Sequence, residues 1–279
     1  MIIKQQYPLT QSAFSLPLVT VGVITLGAAL WGLMGWQEDG MSPNERLLAR
    51  LVAVEPVEQP ELPDFSAQAV VQERKDEFFN FMVPMIREEN ARLEEKREAL
   101  LQWQSSVQGG EELSEQGVAQ LTSLASRYYV ETEMAVKQVL AELLVKVDTL
   151  PTSVVVAQAA NESAWGTSRF AREGNNLFGQ WCFSSGCGIV PNGRPEGETY
   201  EVRSFASPAH SVRSFIQNLN RHLSYEDLRL ARAEMREQQQ AISGLDLAPH
   251  LLAYSTRREE YVEEIISMIN FNNLLDLDQ

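Results

Sequence analysis

The sequence predicts a mainly α protein with one small β-hairpin flap and an apolar segment near its N-terminus. Three observations support this fold class. Apolar residues recur at helical spacing along most of the chain after residue 72. A glycine-rich stretch and a short alternating segment lie between residues 174 and 205, and a strongly apolar run occupies residues 16–36. The 279 residues are enough for one sizeable domain and a smaller region.

The apolar run near the N-terminus has the length of a membrane span. Lys4 is followed by 33 uncharged residues before Glu38. As a helix, residues 16–36 would reach about 30 Å, the thickness of a bilayer core. Residues 1–37 are therefore predicted to be a single-pass membrane anchor, with a cleaved secretory signal as the alternative. Because Lys4 precedes the span and acidic residues follow it, the rest of the chain is expected outside the cytoplasm.

A linker and a helical region are expected next. Residues 38–71 contain four prolines and little apolar periodicity, which is typical of an extended linker. Residues 72–148 are predicted to form an accessory helical region that packs on the domain after it. Its first helix is long and amphipathic, with a kink or interruption expected at Pro84. Two shorter helices are expected around residues 113–126 and 131–148.

The segment from residue 149 begins with "TLPTS", a typical helix start, and continues as "VVVAQAANESAWG". This helix is apolar on every side and should be buried. Glu162 lies near its end, and Trp165, three residues later, is expected on the same face. Burial and the negative end of the helix dipole both favour the protonated acid. Glu162 could then donate a proton to a glycosidic oxygen, although a structural hydrogen-bonding role fits the spacing equally well.

The remaining elements complete the domain 149–279. After "GNNLFGQW", the alternating segment "TYEVRSF" (199–205) predicts the β flap, and helices are expected around 208–222, 225–242, 246–253 and 258–269. Cys182 and Cys187 are candidates for a short disulfide in an oxidising compartment. The three histidines lack metal-ligand spacing, so neither a metal nor a cofactor is expected. The net charge of −15 argues against nucleic acid as a partner.

Two ordered motifs carry a resemblance to a known family. "QAANESAWGTSRFAREGNNLFGQW" (158–181) and "YSTRREEYVEEI" (254–265) resemble the glucosaminidase domain of glycoside hydrolase family 73, as found in flagellar peptidoglycan hydrolases. Within that family, the sequence is most similar to the Bax proteins of Gram-negative bacteria. The resemblance implies a lysozyme-like α fold and cleavage of the β-1,4 bond after N-acetylglucosamine in peptidoglycan glycan strands. Together with the predicted anchor, it places the domain in the periplasm, tethered to the inner membrane.

The resemblance also implies roles for single residues. Glu162 matches the general acid and Tyr254 the active-site tyrosine. The residues in or beside the cleft motifs, expected to bind substrate, are Trp165, Asn176, Phe178 and Trp181. Core packing is an equally good interpretation of Phe178, whereas Trp181 is better placed as a sugar platform.

A second catalytic carboxylate is expected in the flap. Glu196, Glu198 and Glu201 lie in the flap, and strand alternation puts Glu198 and Glu201 on opposite faces. Glu198 is preferred. Inverting, retaining and substrate-assisted mechanisms all stay open. Two rival functions also stay open: a lytic transglycosylase or muramidase of the same fold, and a non-catalytic, membrane-tethered wall-binding protein.

Overall fold

A computed structural model describes residues 60–279, and the predicted anchor at residues 1–37 lies outside them. Within the described range, no helix combines the length and the apolar character that crossing a membrane requires. The structure confirms the mainly α class. The helices are α1 (Val71–Gln108), α2 (Glu115–Arg127), α3 (Val136–Lys146), α4 (Thr152–Ser163), α5 (Arg169–Gly174), α6 (Pro208–Arg221), α7 (Glu226–Glu237), α8 (Gly244–Leu247) and α9 (Glu259–Phe271).

Helix α1 is a single 38-residue helix that continues through Pro84 without the interruption that the sequence suggested. Proline removes one backbone hydrogen bond, but the neighbouring apolar side chains Met82, Met85 and Ile86 are buried and hold the helix against the core. Its contacts extend to α3, α4 and α6. The accessory region and the following domain therefore share one hydrophobic core.

The last residues of the predicted linker are also part of this core. A short 3₁₀ turn, Phe65–Ala67, buries Phe65, whose ring meets Phe78 edge-on at 5.4 Å between centroids. Phe65 also packs against Gly166, where an added Cβ would lie 2.4 Å from the ring. Because Gly166 has a φ of +74°, both the space and the backbone conformation favour glycine there.

The predicted β-hairpin is a small three-stranded antiparallel sheet. Its strands are β1 (Trp181–Cys182), β2 (Gly188–Ile189) and β3 (Glu201–Arg203), with β3 in the centre. Trp181 pairs with Val202 on one side, and Ile189 pairs with Val202 on the other. A disulfide joins Cys182 to Cys187 and closes the loop between β1 and β2.

A buried charge cluster connects the accessory helices to α7. Asp148 is 1% exposed, and its carboxylate accepts a 2.6 Å hydrogen bond from Arg236. Arg97 of α1 and the buried Arg232 of α7 lie within 3.4 and 3.6 Å of the same carboxylate. Burial alone would raise the pKa of Asp148, but the arginines outweigh it and lower that pKa below its ordinary value. The ionised carboxylate therefore holds the two regions together.

Candidate active site

Glu162 is presented by the C-terminal end of α4. The helix stops at Ser163 because the next three residues, Ala164, Trp165 and Gly166, all have left-handed backbone conformations. The buried hydroxyl of Ser163 donates to the carbonyl of Ala159 at 2.6 Å and accepts from the amide of Gly166 at 2.8 Å. These bonds fix the turn. The carboxyl group of Glu162 is thereby held at a defined helix end.

This turn changes the position expected for Trp165. The residue has left the helix, so it does not share a helical face with Glu162. Its ring packs edge-on against Phe78 and Phe79, with centroids 5.8 and 5.4 Å apart, and Lys75 Nζ lies 4.8 Å from its centroid. Trp165 lines a different cavity from the one that contains Glu162. Its expected contact with sugar therefore has no counterpart in the cleft geometry.

Three tyrosines surround the carboxyl group of Glu162. The hydroxyl of Tyr261 accepts a 3.0 Å hydrogen bond from the side-chain amide of the fully buried Gln158. Since that hydroxyl has one proton, it can donate to Glu162, with which it forms a side-chain hydrogen bond. Tyr225 and Tyr254 lie close enough to Glu162 for its negative charge to contribute to their raised pKa values. The acid is thus enclosed largely by aromatic groups.

This environment raises the pKa of Glu162 above its ordinary value. Burial is the main cause, because it penalises the charged form. The hydrogen bond from Tyr261 and the positive charge of Arg257 oppose the shift, while Glu264 adds to it. Arg257 forms an ion pair with Glu264 through two hydrogen bonds, and this partner reduces the effect of the Arg257 charge on the pKa of Glu162. A carboxyl group with a raised pKa can act as a proton donor closer to neutral pH.

Tyr254 holds the loop that faces Glu162. Its hydroxyl donates a 2.8 Å hydrogen bond to the carbonyl of Phe178, and its ring stacks on Tyr261 with centroids 5.3 Å apart. Burial raises the pKa of Tyr254 well above its usual range, so the phenol keeps its proton. In this arrangement Tyr254 borders the cleft and positions the backbone of the Phe178 loop.

The same loop is organised by Asn176, which is buried and does not line the cleft. Its side-chain nitrogen donates to the carbonyls of Gln180 and Arg203 at 2.9 and 2.8 Å, and its side-chain oxygen accepts from the amides of Phe178 and Gln180. This bonding brings the backbone of Gly179 next to the acid: a Cβ at Gly179 would lie 3.5 Å from Glu162 Oε2. Asn176 therefore shapes the cleft from behind.

Phe178 and Trp181 both border the cleft but differ in exposure. Phe178 is 2% exposed and stacks on Phe215 with centroids 3.9 Å apart, which makes it part of the core. Trp181 is 56% exposed and stacks on Tyr200 at 4.3 Å with an interplanar angle of 9°. The flat, exposed face of Trp181 is the kind of surface on which sugar rings stack.

These residues form one open cleft of about 650 Å³ with Glu162 in its wall. Its lining comes from the end of α4, from α6, from the sheet and from loops that include the one before α9: Glu162, Phe178, Gly179, Gln180, Trp181, Arg203, Ser214, Phe215, Asn218, Arg221, Tyr225, Tyr254, Ser255 and Thr256. Of these described lining residues, only Glu162 carries a carboxylate. The cleft is therefore a polar groove with an aromatic edge and a single acid.

The flap glutamates lie elsewhere. Glu198 is exposed in a turn before β3, so the strand alternation assumed for it does not extend that far. Glu201 is buried, and its two carboxylate oxygens accept from the amides of Gly186 and Gly188 at 3.0 and 2.8 Å. These hydrogen bonds lower the pKa of Glu201 and fix the backbone of the loop that the disulfide closes. Neither Glu198, Glu201 nor the exposed Glu196 lines the cleft.

Cys182, Cys187 and Glu201 bring two sulfurs and a carboxylate within 4.8 Å of one another, a grouping that could in principle hold a metal. The sulfurs are joined in the disulfide, and the carboxylate already accepts two backbone amides. A disulfide sulfur is not the thiolate that binds metals. The donor set therefore does not fit a metal site.

The residues that shape the site differ in how far the sequence identifies them. Gln158 precedes Glu162 by one helical turn, and Tyr261 falls in the second motif, so both could have been placed by helical spacing and motif position. Tyr225, Arg203 and Arg221 reach the cleft only through the tertiary fold. No local pattern marks these three residues.

The part of the chain that forms the cleft is similar in sequence to known proteins. The glucosaminidase family model, described as mannosyl-glycoprotein endo-beta-N-acetylglucosaminidase, matches residues 137–274. The curated "Protein bax" of Escherichia coli (strain K12) is 33% identical over 215 residues, which cover 77% of this chain and 75% of that protein. The search of solved structures found no significant match. The matched range includes Glu162, Tyr254 and the whole cleft.

Proposed function

Because the chain belongs to the glucosaminidase family and to its Bax-like members, we propose that it is a peptidoglycan hydrolase, an endo-β-N-acetylglucosaminidase that cleaves the β-1,4 bond after N-acetylglucosamine. Glu162 is the general acid in this proposal. The observation that carries it is the partly buried carboxyl group with a raised pKa in the wall of an open cleft edged by an exposed tryptophan. A lysozyme-like arrangement of the helices is part of the same proposal.

In the proposed reaction, Glu162 donates its proton to the bridging oxygen as the bond from the sugar C1 to that oxygen breaks. The leaving sugar departs as an alcohol, and water completes the hydrolysis at C1. Gln158 and Tyr261 orient the carboxyl group, and Trp181 supports a sugar ring. Tyr254 fixes the loop opposite the acid.

The group that assists at C1 has two candidates. Glu198 would have to approach the cleft from its exposed turn, whereas the 2-acetamido group of the substrate needs no second carboxylate. The presence of a single acid in the described cleft favours the acetamido group. A Glu198→Gln variant with nearly unchanged kcat supports that route, and a loss as large as that of Glu162→Gln supports the flap glutamate.

The function is tested with the full chain, solubilised in detergent, on purified peptidoglycan. Wild type should release fragments with N-acetylglucosamine at the reducing end, identified by mass spectrometry. Glu162→Gln should lower kcat by at least about 100-fold, the lower end expected for loss of a general acid, while the exposed Glu173→Gln serves as the matched control. Muramic acid or anhydro ends would identify a muramidase or transglycosylase instead. Binding without any cleavage by wild type would indicate a wall-binding protein.

We also propose that the chain is tethered to the inner membrane with this domain in the periplasm. The apolar residues 16–36 and the disulfide between Cys182 and Cys187 support that location. Fractionation of cells followed by protease treatment of spheroplasts tests it. Recovery of the intact chain in the cytosolic fraction would contradict the proposal.

A further inference from the structure

The cleft has the opposite charge to the chain as a whole. The sequence has a net charge of −15, yet the cleft lining contains two arginines, Arg203 and Arg221, and one acid, Glu162. When Glu162 is protonated, the two charged groups that remain in the described lining, Arg203 and Arg221, are both cationic. A neutral glycan needs no such pair of charges for recognition.

Arg203 belongs to the central strand of the sheet, β3, and its side chain is exposed beside the cleft. The backbone of Arg203 is fixed because its amide donates to the carbonyl of Gln180 at 2.9 Å and its carbonyl accepts from Asn176. The guanidinium lies over the ring of Phe205, 5.2 Å from the centroid. No carboxylate among residues 60–279 forms an ion pair with it, so its edge is available for a ligand.

Arg221 is the last residue of α6, is only partly exposed, and lines both the cleft and a neighbouring cavity that contains Tyr129. Its guanidinium lies 4.8 Å from the centroid of Tyr129, and one of its nitrogens donates to the carbonyl of Arg127 at 3.4 Å. Stacking on an aromatic ring orients the plane of an arginine while most of its five N–H donors stay unused. Within the described part of the chain, Arg221 also lacks an ion pair with a carboxylate.

We propose that Arg203 and Arg221 are specificity-determining residues that bind carboxylates of the substrate, so that the cleft prefers a carboxylate-bearing glycan to a neutral one. This inference rests on the proposed function. The planar guanidinium matches a carboxylate through two parallel hydrogen bonds. Peptidoglycan offers carboxylates from two sources: the peptide stems, and the lactyl group of muramic acid where the peptide has been removed.

The test measures binding rather than turnover, in the Glu162→Gln background so that no ligand is cleaved. Dissociation constants are determined for three glycans of equal length: peptide-bearing strands, peptide-free strands with free lactyl carboxylates, and neutral β-1,4-linked N-acetylglucosamine oligomers. The variants are Arg203→Gln, Arg221→Gln, and Arg221→Lys, which retains the charge. Arg172→Gln, an exposed arginine outside the cleft, is the matched control.

Each glutamine substitution should weaken binding of a carboxylate-bearing strand by about tenfold, equivalent to about 1.4 kcal/mol, and should change binding of the neutral oligomer less than threefold. Arg221→Lys should recover part of the loss at Arg221. Weakening with peptide-bearing strands alone identifies the peptide stem as the source, and weakening with peptide-free strands identifies the lactyl group.

Equal losses on neutral and carboxylate-bearing ligands, or no loss on either, would overturn the inference. These outcomes are separate from failure of the proposed function, which concerns cleavage by the parent protein. If the parent enzyme hydrolyses peptidoglycan but shows no selectivity for carboxylates, only the role proposed for the two arginines is contradicted.

Discussion

The hydroxyl of Tyr261 should set both the pH range of activity and part of the stability of the site. In Tyr261→Phe, the ring that stacks on Tyr254 is retained, while the hydroxyl between Gln158 and Glu162 is removed. That hydroxyl favours the ionised carboxylate and lowers its pKa. Its removal should therefore raise the pKa of Glu162 further, because burial then acts with less opposition.

The direction of the pH effect follows from the role of the acid. The proposed reaction needs protonated Glu162, so the rate should fall as pH rises through its pKa. With that pKa raised, the alkaline limb of the kcat/KM profile should move to higher pH in Tyr261→Phe.

The stability cost comes mainly from Gln158. Its side-chain amide is fully buried and would lose its partner, which costs about 1–3 kcal/mol. For a domain of this size, each kcal/mol lowers the Tm by about 2–4 °C. Thermal unfolding and kcat/KM measured from pH 4 to 9 provide the two readouts.

The matched control is Tyr128→Phe, which removes the same atom from a buried tyrosine outside the cleft. Its alkaline limb should coincide with that of wild type. If the Tyr261→Phe variant folds but the alkaline limb of its kcat/KM profile stays in place or shifts to lower pH, the assigned hydrogen bond to Glu162 is refuted.

Three further predictions concern stability and substrate binding. Asp148→Asn should lower the free energy of unfolding by about 3–5 kcal/mol, because buried Arg232 loses its counter-charge; urea titration measures this, and a loss below about 1 kcal/mol contradicts it. The pKa of Asp148 in the folded state lies below its ordinary value of 3.8. Its contribution to the free energy of unfolding should therefore be complete well above pH 3.8 and disappear as the pH falls below that value. Trp181→Ala should raise KM about tenfold, close to 1.4 kcal/mol, and leave the Tm nearly unchanged because the ring is exposed; an unchanged KM argues against a sugar platform. Reducing the bond between Cys182 and Cys187 should cost about 2 kcal/mol, with the double serine variant as an unresponsive control; equal effects of reductant on both proteins would contradict it.

The sequence by itself determined the class of the fold and the position of the candidate acid. The periodicity predicts the long helices, and the uniformly apolar stretch before Glu162 predicts a buried helix, because such patterns depend only on neighbours along the chain. The same local logic located the flap and made Cys182 and Cys187 a candidate disulfide pair. Quoted motifs, rather than periodicity, singled out Tyr254.

Only the tertiary structure decided which side chains meet. Trp165 follows Glu162 by three residues, but consecutive left-handed residues turn its ring away from the cleft. The carboxylate of Glu201 accepts hydrogen bonds from backbone amides of the disulfide loop. The side chain of Asn176 bonds the backbone of the loop that it organises. Arg203 and Arg221 reach the cleft from a strand and a helix end that are distant in sequence. Such placements depend on backbone turns and on packing between separate segments, which local sequence patterns do not encode.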